Sequence, residues 1–390
     1  MDVQGIKKRV IEEIDRIAPR LVEISHEIHA NPELLFEERK AAALVAKELE
    51  AAGFSVERGI AGLETAFRAE YAFKGNGPKI AFLAEYDALP EIGHACGHNI
   101  IGTSALGAGL GLASVLDVLP GTAFVFGTPA EEGGGGKIIM ADKGVFESID
   151  AAMIVHPGSV TKVEAKALAA LPIKIIFRGK PAHAASVPHE GINALDALIE
   201  TFNNINALRQ HVRPDVRIHG IITKGGAAAN IVPEYAEGNF IVRAAEKRYH
   251  QEIVEKVKNC ARAGALATGA TVEFESHGLV YDPMKHNKTL GDAFTANLSA
   301  IGWEESKEPK PGMGSTDMGN VSQVVPSIHP SMAICDIKVP GHSHEFCDAA
   351  RSPRGDGCLV AAAKAMALTA VDLFTDAALL KAVKEEFTKG

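Results

Sequence analysis

A cysteine and a histidine separated by one glycine lie in an acid-rich stretch of the chain. Cys96 and His98 closely follow Glu85 and Asp87. Thiolate and imidazole groups are ligands that zinc and related ions accept, and the glycine lets both side chains turn toward one ion. This stretch therefore predicts one side of a metal site. The competing interpretation is a nucleophilic Cys96 that His94 or His98 activates, as in cysteine-dependent hydrolases.

Two adjacent glutamates, Glu131 and Glu132, precede a run of glycines. Because adjacent side chains do not easily bind one ion together, we expect one carboxylate to bind metal and the other to act as a general base. A metal ion lowers the pKa of water from 15.7 toward about 7, and a nearby carboxylate then takes the proton. The pair favours hydrolysis over the alternative of two solvated surface acids. A phosphate-binding loop is disfavoured because Gly136-Lys137 continues as Ile138 rather than Ser or Thr.

Further histidines are candidates for the same chemistry. His156 is either a terminal metal ligand or a core histidine with one hydrogen bond. In the segment His342-Ser343-His344 we favour His342 as a ligand, with His344 as the second choice. His183 is either a polar surface residue or a donor that stabilises the oxyanion formed at a carbonyl.

Alternating strands and helices must position these residues. Apolar runs at 79–84, 122–127 and 151–155 have the character of buried strands, and helical periods separate them. This order predicts an α/β fold with helices on both faces of the sheet, in which active sites gather beyond the carboxyl ends of the strands. Each run ends just before candidate residues, so we expect those residues to meet.

The length of 390 residues argues for two domains, or for one domain with an insertion. We predict a catalytic metal-binding domain formed by 1–171 and 283–390. Residues 172–282 form an inserted two-layer α/β domain. Its predicted elements are strands at 173–178, 221–223 and 240–242 and helices near 191–212 and 247–268.

Outside the insertion, residues 3–52 show the period of two helices, broken at Asn31-Pro32. Residues 356–374 form an apolar helix. The nearly uncharged segment 100–119 has the length of a membrane span, but its several glycines favour a buried helix behind the site.

The amino-acid composition limits the classes of molecule that the protein is expected to bind. A net charge of -9 and a pI near 5.9 disfavour nucleic-acid and anionic-membrane partners, and a small-molecule or peptide substrate fits better. Five irregularly spaced cysteines are not a disulfide framework. The N-terminal segment lacks the apolar core of a signal peptide, so we expect a cytoplasmic protein.

Taken together, the motifs resemble metallopeptidase family twenty, which includes aminoacylases, carboxypeptidase G, and the hippurate and indoleacetyl-amino-acid hydrolases. The likeness covers nearly the whole chain. Its most specific segments are Asp87-Ala88-Leu89-Pro90 with His94-Ala95-Cys96-Gly97-His98, residues 129–136, and Asn230-Ile231-Val232-Pro233.

Some positions depart from the common family pattern. The segment Ala84-Glu85-Tyr86-Asp87 stands where relatives often have Ala-Asp-Met-Asp, and Asn99 replaces an aspartate. With Ser315-Thr316-Asp317, these departures resemble the branch that contains aminobenzoyl-glutamate hydrolase and β-alanyl-dipeptide hydrolases. Glu85 is either a substitute ligand or a residue that orients a ligand.

The resemblance implies a mixed-sheet catalytic domain interrupted by a lid and dimerisation domain. It implies two divalent ions per chain, with zinc expected and manganese, nickel or cobalt as alternatives. The implied ligands are Cys96, His98, Glu132, His156 and His342. Cys96 takes the bridging position that an aspartate occupies in many relatives.

The resemblance also implies the remaining roles. Glu131 is the general base that returns its proton to the leaving amine, and Asp87 is a further catalytic candidate. His183 matches a lid histidine that reaches into the partner subunit's active site, so a homodimer is implied. Asn230, Arg243 and Ser315 are candidates for substrate binding, with Arg243 gripping a carboxylate.

We therefore expect a metal-dependent amidohydrolase that cleaves the amide bond of an N-acyl or aminoacyl amino acid. It would be of the aminoacylase, dipeptidase or aminobenzoyl-glutamate hydrolase type. The alternatives are a cysteine-dependent hydrolase that uses Cys96 and a non-catalytic metal-binding homologue.

Overall fold

The computed structural model describes residues 2–73, 77–308 and 312–389. The chain forms two compact units. The first unit comprises Met1–Lys166, Met284–Gly312 and Asn320–Gly390, and the second comprises Ala167–Pro283 and Met313–Gly319. The predicted domain boundaries at 171 and 283 stay a prediction. The short segment Met313–Gly319 lies beyond those boundaries in sequence but packs with the second unit.

The helices and strands alternate along much of the chain. The helices are α1 (Val3–Ala30), α2 (Arg39–Ala51), α3 (His98–Ala113), α4 (Gly136–Asp142), α5 (Ala194–Leu208), α6 (Lys247–Thr268), α7 (Lys288–Ala300), α8 (Met318–Val324), α9 (His344–Ala349), α10 (Pro353–Thr375) and α11 (Ala377–Lys389). The strands are β1 (Ser55–Arg58), β2 (Phe67–Phe73), β3 (Lys79–Ala84), β4 (Gly121–Gly127), β5 (Ala151–Met153), β6 (His156–Gly158), β7 (Ala169–Arg178), β8 (Arg217–Lys224), β9 (Tyr235–Ala244), β10 (Thr271–Ser276), β11 (Ser327–Ile328) and β12 (Ser331–Ala333).

A six-stranded mixed sheet organises the first unit, in the order β1-β2-β4-β3-β5-β11. Strands β4, β3, β5 and β11 are parallel, whereas β2 is antiparallel to β4 and β1 is antiparallel to β2. Every residue of β4, and all of β3 after Lys79, is buried, as expected for strands that are covered on both faces. The predicted α/β class is confirmed.

The end of β5 differs from the prediction. The strand ends at Met153 rather than near 155, and His156 begins a separate short strand, β6, that pairs in parallel with β12. The pairing of β5 with β3 and its pairing with β11 both end at Met153, and His156 pairs instead with Ser331 of β12. His156 still follows the buried run, so the error in the strand boundary leaves its position at the sheet end unchanged.

The helices around this sheet agree with the apolar periods in the sequence. The predicted break at Asn31-Pro32 is confirmed, since α1 ends at Ala30 and α2 begins at Arg39. The segment 100–119, predicted as a buried helix, is helical only up to Ala113, where α3 ends. Helix α3 is buried along nearly its whole length and packs against β3, β4 and α10.

The C-terminal segment is longer in helix than predicted. Asp376 interrupts it, because its side chain accepts hydrogen bonds from the N–H groups of Ala378 and Leu379 and starts α11. Within the described residues, α10 is long and apolar enough to cross a membrane by length and composition alone. Most of that stretch is buried inside the protein.

The second unit has two layers. Its antiparallel sheet has the order β10-β7-β9-β8, and α5 and α6 pack together against it. The helix predicted at 247–268 coincides with α6. The other helix, predicted at 191–212, is shorter because the Asn193 side chain caps α5 at its N-terminus and a 3-10 turn follows Leu208.

We predict that Gly102→Ala destabilises the first unit. A Cβ atom at Gly102 would lie 2.7 Å from the backbone oxygen of Glu85, where α3 passes the end of β3. Relief of that contact requires backbone movement, so the free energy of unfolding should fall by about 1–2 kcal/mol despite the higher helix propensity of alanine. Thermal denaturation followed by circular dichroism measures the loss.

The control is Gly357→Ala in α10, where open space surrounds the Cβ position among the described residues. This change should leave stability unchanged or raise it by about 0.5–1 kcal/mol. Equal stability of the two variants would show that the close approach of α3 to Glu85 is unimportant.

Candidate metal centre

The loop between β3 and α3 brings Cys96 and His98 to the sheet end. Gly97, which separates them, has a φ of 79° and is the residue that precedes α3. A side chain there would collide with the Pro157 ring, next to His156. Glycine is therefore required both by the backbone conformation and by the close approach of the two ligand-bearing segments.

The side chains predicted to bind metal lie in one cluster. Their potential ligand atoms form three overlapping groups, each with all its atoms within 4.8 Å of one another. The groups are Cys96, His98 and His156; Cys96, Glu132 and His342; and His98, Glu131 and Glu132. Among the residues that the structure describes, these groups contain His342 and not His344. The fold thus collects the five predicted ligands and the predicted base.

The donors in this cluster fit a divalent cation. His98 Nε2 and Glu132 Oε1 are buried atoms that have no hydrogen-bond partner among the described residues, and they lie 3.8 Å apart. His342 Nε2 lies 3.5 Å from the same Glu132 oxygen, and Cys96 Sγ lies 3.3 Å from His156 Nε2. Burying polar atoms without partners costs free energy, and a cation held among them would compensate that cost. Thiolate, imidazole and carboxylate together suit zinc and similar ions.

Asp87 orients two members of the cluster. Its carboxylate accepts a hydrogen bond from His98 Nδ1 at 2.9 Å and another from the Glu132 N–H at 3.0 Å. With Nδ1 donating, His98 directs Nε2 into the cluster. Burial, the largest single influence, raises the pKa of Asp87, but the His98 imidazole, the Glu132 N–H and Lys137 together lower it below its ordinary value, so the group stays a carboxylate. Its predicted catalytic contribution stays a prediction.

The environment of Cys96 disfavours the cysteine-hydrolase interpretation. Burial raises the pKa of the Cys96 thiol, and contact with the His98 imidazole lowers it by less. The carboxylates of Glu132 and Glu131 raise it further. A nucleophilic cysteine needs a lowered pKa, whereas a thiol that ionises only beside a cation is suited to bind metal.

Sequence reasoning missed the role of Lys137, which it considered only as part of a rejected phosphate loop. Lys137 is fully buried at the start of α4, and its Nζ lies 2.6 Å from Glu85 Oε1. The other Glu85 oxygen lies 3.5 Å from His98 Nε2. The lysine therefore adds a positive charge to a site rich in carboxylates. The available signal was a lysine at the head of an otherwise apolar helix.

A fourth imidazole at the sheet end also escaped sequence reasoning. His329 directly follows β11, and its ring centroid lies 5.6 Å from that of His156. The signal was the apolar run that ends at Ile328, which has the same relation to His329 as the earlier run has to His156. The carboxyl end of β11 therefore places an imidazole beside His156, although His329 belongs to none of the three ligand groups among the described residues.

The second unit brings its own predicted residues together in pairs. His183 and Ile231 form a bridge, which places Asn230 next to the histidine. His183 Nδ1 accepts hydrogen bonds from the N–H groups of Ala185 and Ser186, each at 3.2 Å. A neutral His183 therefore carries its proton on Nε2, on an exposed side chain. Arg243 donates a hydrogen bond to Ser315 Oγ at 2.8 Å.

At the end of the parallel strands, the protein gathers thiolate, imidazole and carboxylate groups that could bind metal, and the Glu131 carboxylate lies beside them as a candidate base. This arrangement defines the class of α/β metal-dependent hydrolases.

The chain matches a family model described as a peptidase dimerisation domain over residues 168–268. It is 40% identical to an Xaa-Arg dipeptidase of Mus musculus, with 99% of this chain and 93% of the relative covered. The chain therefore belongs to metallopeptidase family twenty.

Two other comparisons agree with this assignment. The chain is 31% identical to a p-aminobenzoyl-glutamate hydrolase protein of Escherichia coli, with 98% of this chain and 95% of the relative covered. Its fold is similar to that of a dinuclear metal-binding peptidase from Bacillus subtilis, with a TM-score of 0.72 and 22% identity. That alignment covers 93% of this chain and 99% of the other. The predictions of the family and of a metal-dependent amidohydrolase are confirmed.

We predict that Lys137→Met lowers the free energy of unfolding by about 3–5 kcal/mol, because it leaves the Glu85 carboxylate buried without its cation. Adding Glu85→Gln to that variant removes the unpaired charge and should restore part of the loss. Urea denaturation of the single and double variants measures both effects.

Lys143→Met is the matched control, since Lys143 is exposed at the end of the same helix. Its effect should stay within about 0.5 kcal/mol. If Lys137→Met were as mild as this control, the buried pair would not stabilise the site.

Proposed function

We propose that the chain hydrolyses the amide bond of a dipeptide or an N-acyl amino acid at a centre of two divalent ions. The ligands would be Cys96, His98, Glu132, His156 and His342. The observation that carries this proposal is the overlap of the three ligand groups, because Cys96, His98 and Glu132 each belong to two of them. A thiolate shared by two groups is suited to bridge two ions. Zinc is the expected metal, with manganese, nickel or cobalt as alternatives.

Two such ions, when bound, would polarise the scissile carbonyl and acidify a water molecule. Glu131 belongs to the cluster but is not one of the proposed ligands. It lies beside Glu132 in the chain and within 4.8 Å of His98 through their ligand atoms. In the proposed reaction, the Glu131 carboxylate takes a proton from the attacking water and returns it to the leaving amine.

Three residues of the second unit complete the proposal. The Nε2–H group of His183 is free of the two backbone bonds that hold Nδ1, and it is suited to stabilise an oxyanion. The Arg243 guanidinium, held by Ser315, is suited to bind the substrate carboxylate, because arginine recognises carboxylates with paired hydrogen bonds. Asn230, next to His183, is proposed to contact the substrate.

Sequence similarity to the relatives favours a dipeptide substrate over an aminobenzoyl-glutamate substrate. The relative at 40% identity is an Xaa-Arg dipeptidase, and the relative at 31% is a p-aminobenzoyl-glutamate hydrolase protein. We propose that the substrate is a dipeptide whose C-terminal residue is arginine or another basic amino acid. Release of the free amino acid from a panel of dipeptides, acyl-amino acids and aminobenzoyl-glutamate tests this choice.

We predict that Glu131→Ala lowers kcat by about 100- to 10,000-fold while the bound metal stays unchanged, because it removes the general base alone. Turnover of the best panel substrate and metal content by mass spectrometry are measured on the same preparations.

Glu132→Ala is the matched control at the adjacent position. It should lower the metal content as well as the activity, because it removes a proposed ligand. Normal turnover by the Glu131→Ala variant, or equal metal loss in both variants, would contradict the division of roles.

We also propose a homodimer formed through the second unit. Strand β8 is an edge of its sheet, so part of its backbone has no partner within the described chain. Ile221 on this strand is 64% exposed, and Ile199 on α5 is also exposed. Exposed edge strands with apolar side chains are templates for pairing with another chain. The family model that covers this region is a dimerisation domain.

We predict that Ile221→Arg converts the dimer to a monomer, because a charge at the edge strand opposes its pairing. Sedimentation velocity at micromolar concentration measures the change in mass.

Leu266→Arg on α6 is the control. Leu266 is 87% exposed, and α6 packs against β10, at the other edge of the sheet. This variant should remain dimeric. A dimeric Ile221→Arg variant would contradict the proposed interface.

A further inference from the structure

Glu38 is a buried carboxylate that serves neither its own helix nor the proposed metal ligands. It directly precedes α2, yet its side chain forms no cap hydrogen bond to that helix. The residue is fully buried. Oε1 instead accepts hydrogen bonds from the N–H groups of Phe36 and Ala130, each at 2.9 Å, and Oε2 accepts one from the Thr65 hydroxyl at 2.8 Å.

Both backbone groups held by Oε1 belong to residues in an unfavourable conformation. Phe36 has a φ of 61° and Ala130 has a φ of 60°, in the left-handed region that side chains disfavour. Such residues persist when surrounding contacts determine the backbone, and they are common at functional sites. The single Glu38 oxygen thus joins two strained turns that are distant in sequence.

The contacts of Ala130 extend this connection into the glycine run after the glutamate pair. Gly135 donates a backbone hydrogen bond to the Ala130 oxygen at 2.8 Å. A Cβ atom at Gly134 would lie 2.5 Å from Ala130 Cβ and 2.6 Å from Phe36 Cε2. The Phe36 ring and Ala130 therefore pack closely against this glycine run, and hydrogen bonds to Glu38 Oε1 hold their backbones.

Buried carboxylates hold the backbone on both sides of Glu131. Glu38 accepts from the N–H of Ala130, the preceding residue, and Asp87 accepts from the N–H of Glu132, the following residue. We infer that Glu38 is a positioning residue for the general base: its Oε1 fixes the strained Ala130 turn and thereby the direction of the Glu131 side chain. This inference rests on the proposed role of Glu131.

The positioning depends on an acceptor atom rather than on charge. Burial raises the pKa of the Glu38 carboxyl, and the nearby Asp87 carboxylate also raises it. A carbonyl oxygen of an amide accepts hydrogen bonds from two N–H groups as well as a carboxylate oxygen does. Glutamine at this position should therefore preserve the geometry, and alanine or aspartate should not.

The experiment compares Glu38→Ala, Glu38→Asp and Glu38→Gln in the metal-loaded, full-length protein. Loss of the Ala130 hydrogen bond lets Glu131 move, and a displacement of about 1 Å at a catalytic group costs about 100-fold in rate. We expect kcat to fall about 100-fold for Glu38→Ala and Glu38→Asp, with KM and metal content unchanged. Glu38→Gln should stay within about threefold of the wild type.

Thr65→Val is the matched control, because it removes the hydroxyl bound to the other oxygen of the same carboxylate and leaves both backbone bonds. It should lower the melting temperature without lowering kcat. If Glu38→Ala fails to fold, Glu38→Asp carries the test, since it keeps a carboxylate that is too short to reach both turns.

Three results would overturn the inference. They are a normal kcat per metal-loaded chain in Glu38→Asp, a Glu38→Gln variant as slow as Glu38→Asp, and a Thr65→Val variant as slow as either. Glu131→Ala is assayed in parallel. An active Glu131→Ala variant would contradict the proposed function itself, whereas an inactive one beside a fully active Glu38→Asp would contradict only the role of Glu38.

Discussion

The hydrogen bonds of Asp87 link His98, at the start of α3, to Glu132, in the loop between β4 and α4. One oxygen binds His98 Nδ1, and the other binds the backbone N–H of Glu132. Because the carboxylate is only 1% exposed, both bonds form away from competing water. They determine which nitrogen of His98 points into the cluster, and they fix the backbone position of Glu132. The two candidate ligand groups that contain Cys96 therefore depend on Asp87, because one includes His98 and the other includes Glu132.

Around Asp87 the protein concentrates acidic side chains that would repel one another if nothing compensated them. The buried Lys137 pairs with Glu85, and divalent ions among the remaining donors would supply further positive charge. The raised pKa of the Cys96 thiol has a related origin, since a buried thiolate beside carboxylates needs a cation next to it. The site is therefore built as a metal centre rather than as a thiol nucleophile.

The loops that carry these residues adopt backbone conformations that few sequences tolerate. Gly97 makes room for Pro157 at a positive φ, and Ala130 accepts a positive φ that Glu38 and the glycine run hold in place. Strain of this kind is retained where neighbouring groups determine the backbone, as they do here. Such support holds the backbone on both sides of Glu131 and brings the candidate ligand segments together.

Sequence alone determined the features that depend on local pattern: the buried strands, the break at Asn31-Pro32, and the residues at the strand ends that the fold collects. These could be predicted because hydrophobic period and ligand chemistry are visible within a few residues, and because parallel strands end at one edge. Only the tertiary structure revealed the partners of Lys137, His329 and Glu38. Their partners lie far away in the chain, so the local patterns around Lys137 and His329 could mark these residues but not the groups that they meet. Sequence pattern could thus name the candidate site residues, whereas long-range packing decided which charges lie beside them and which turns support them.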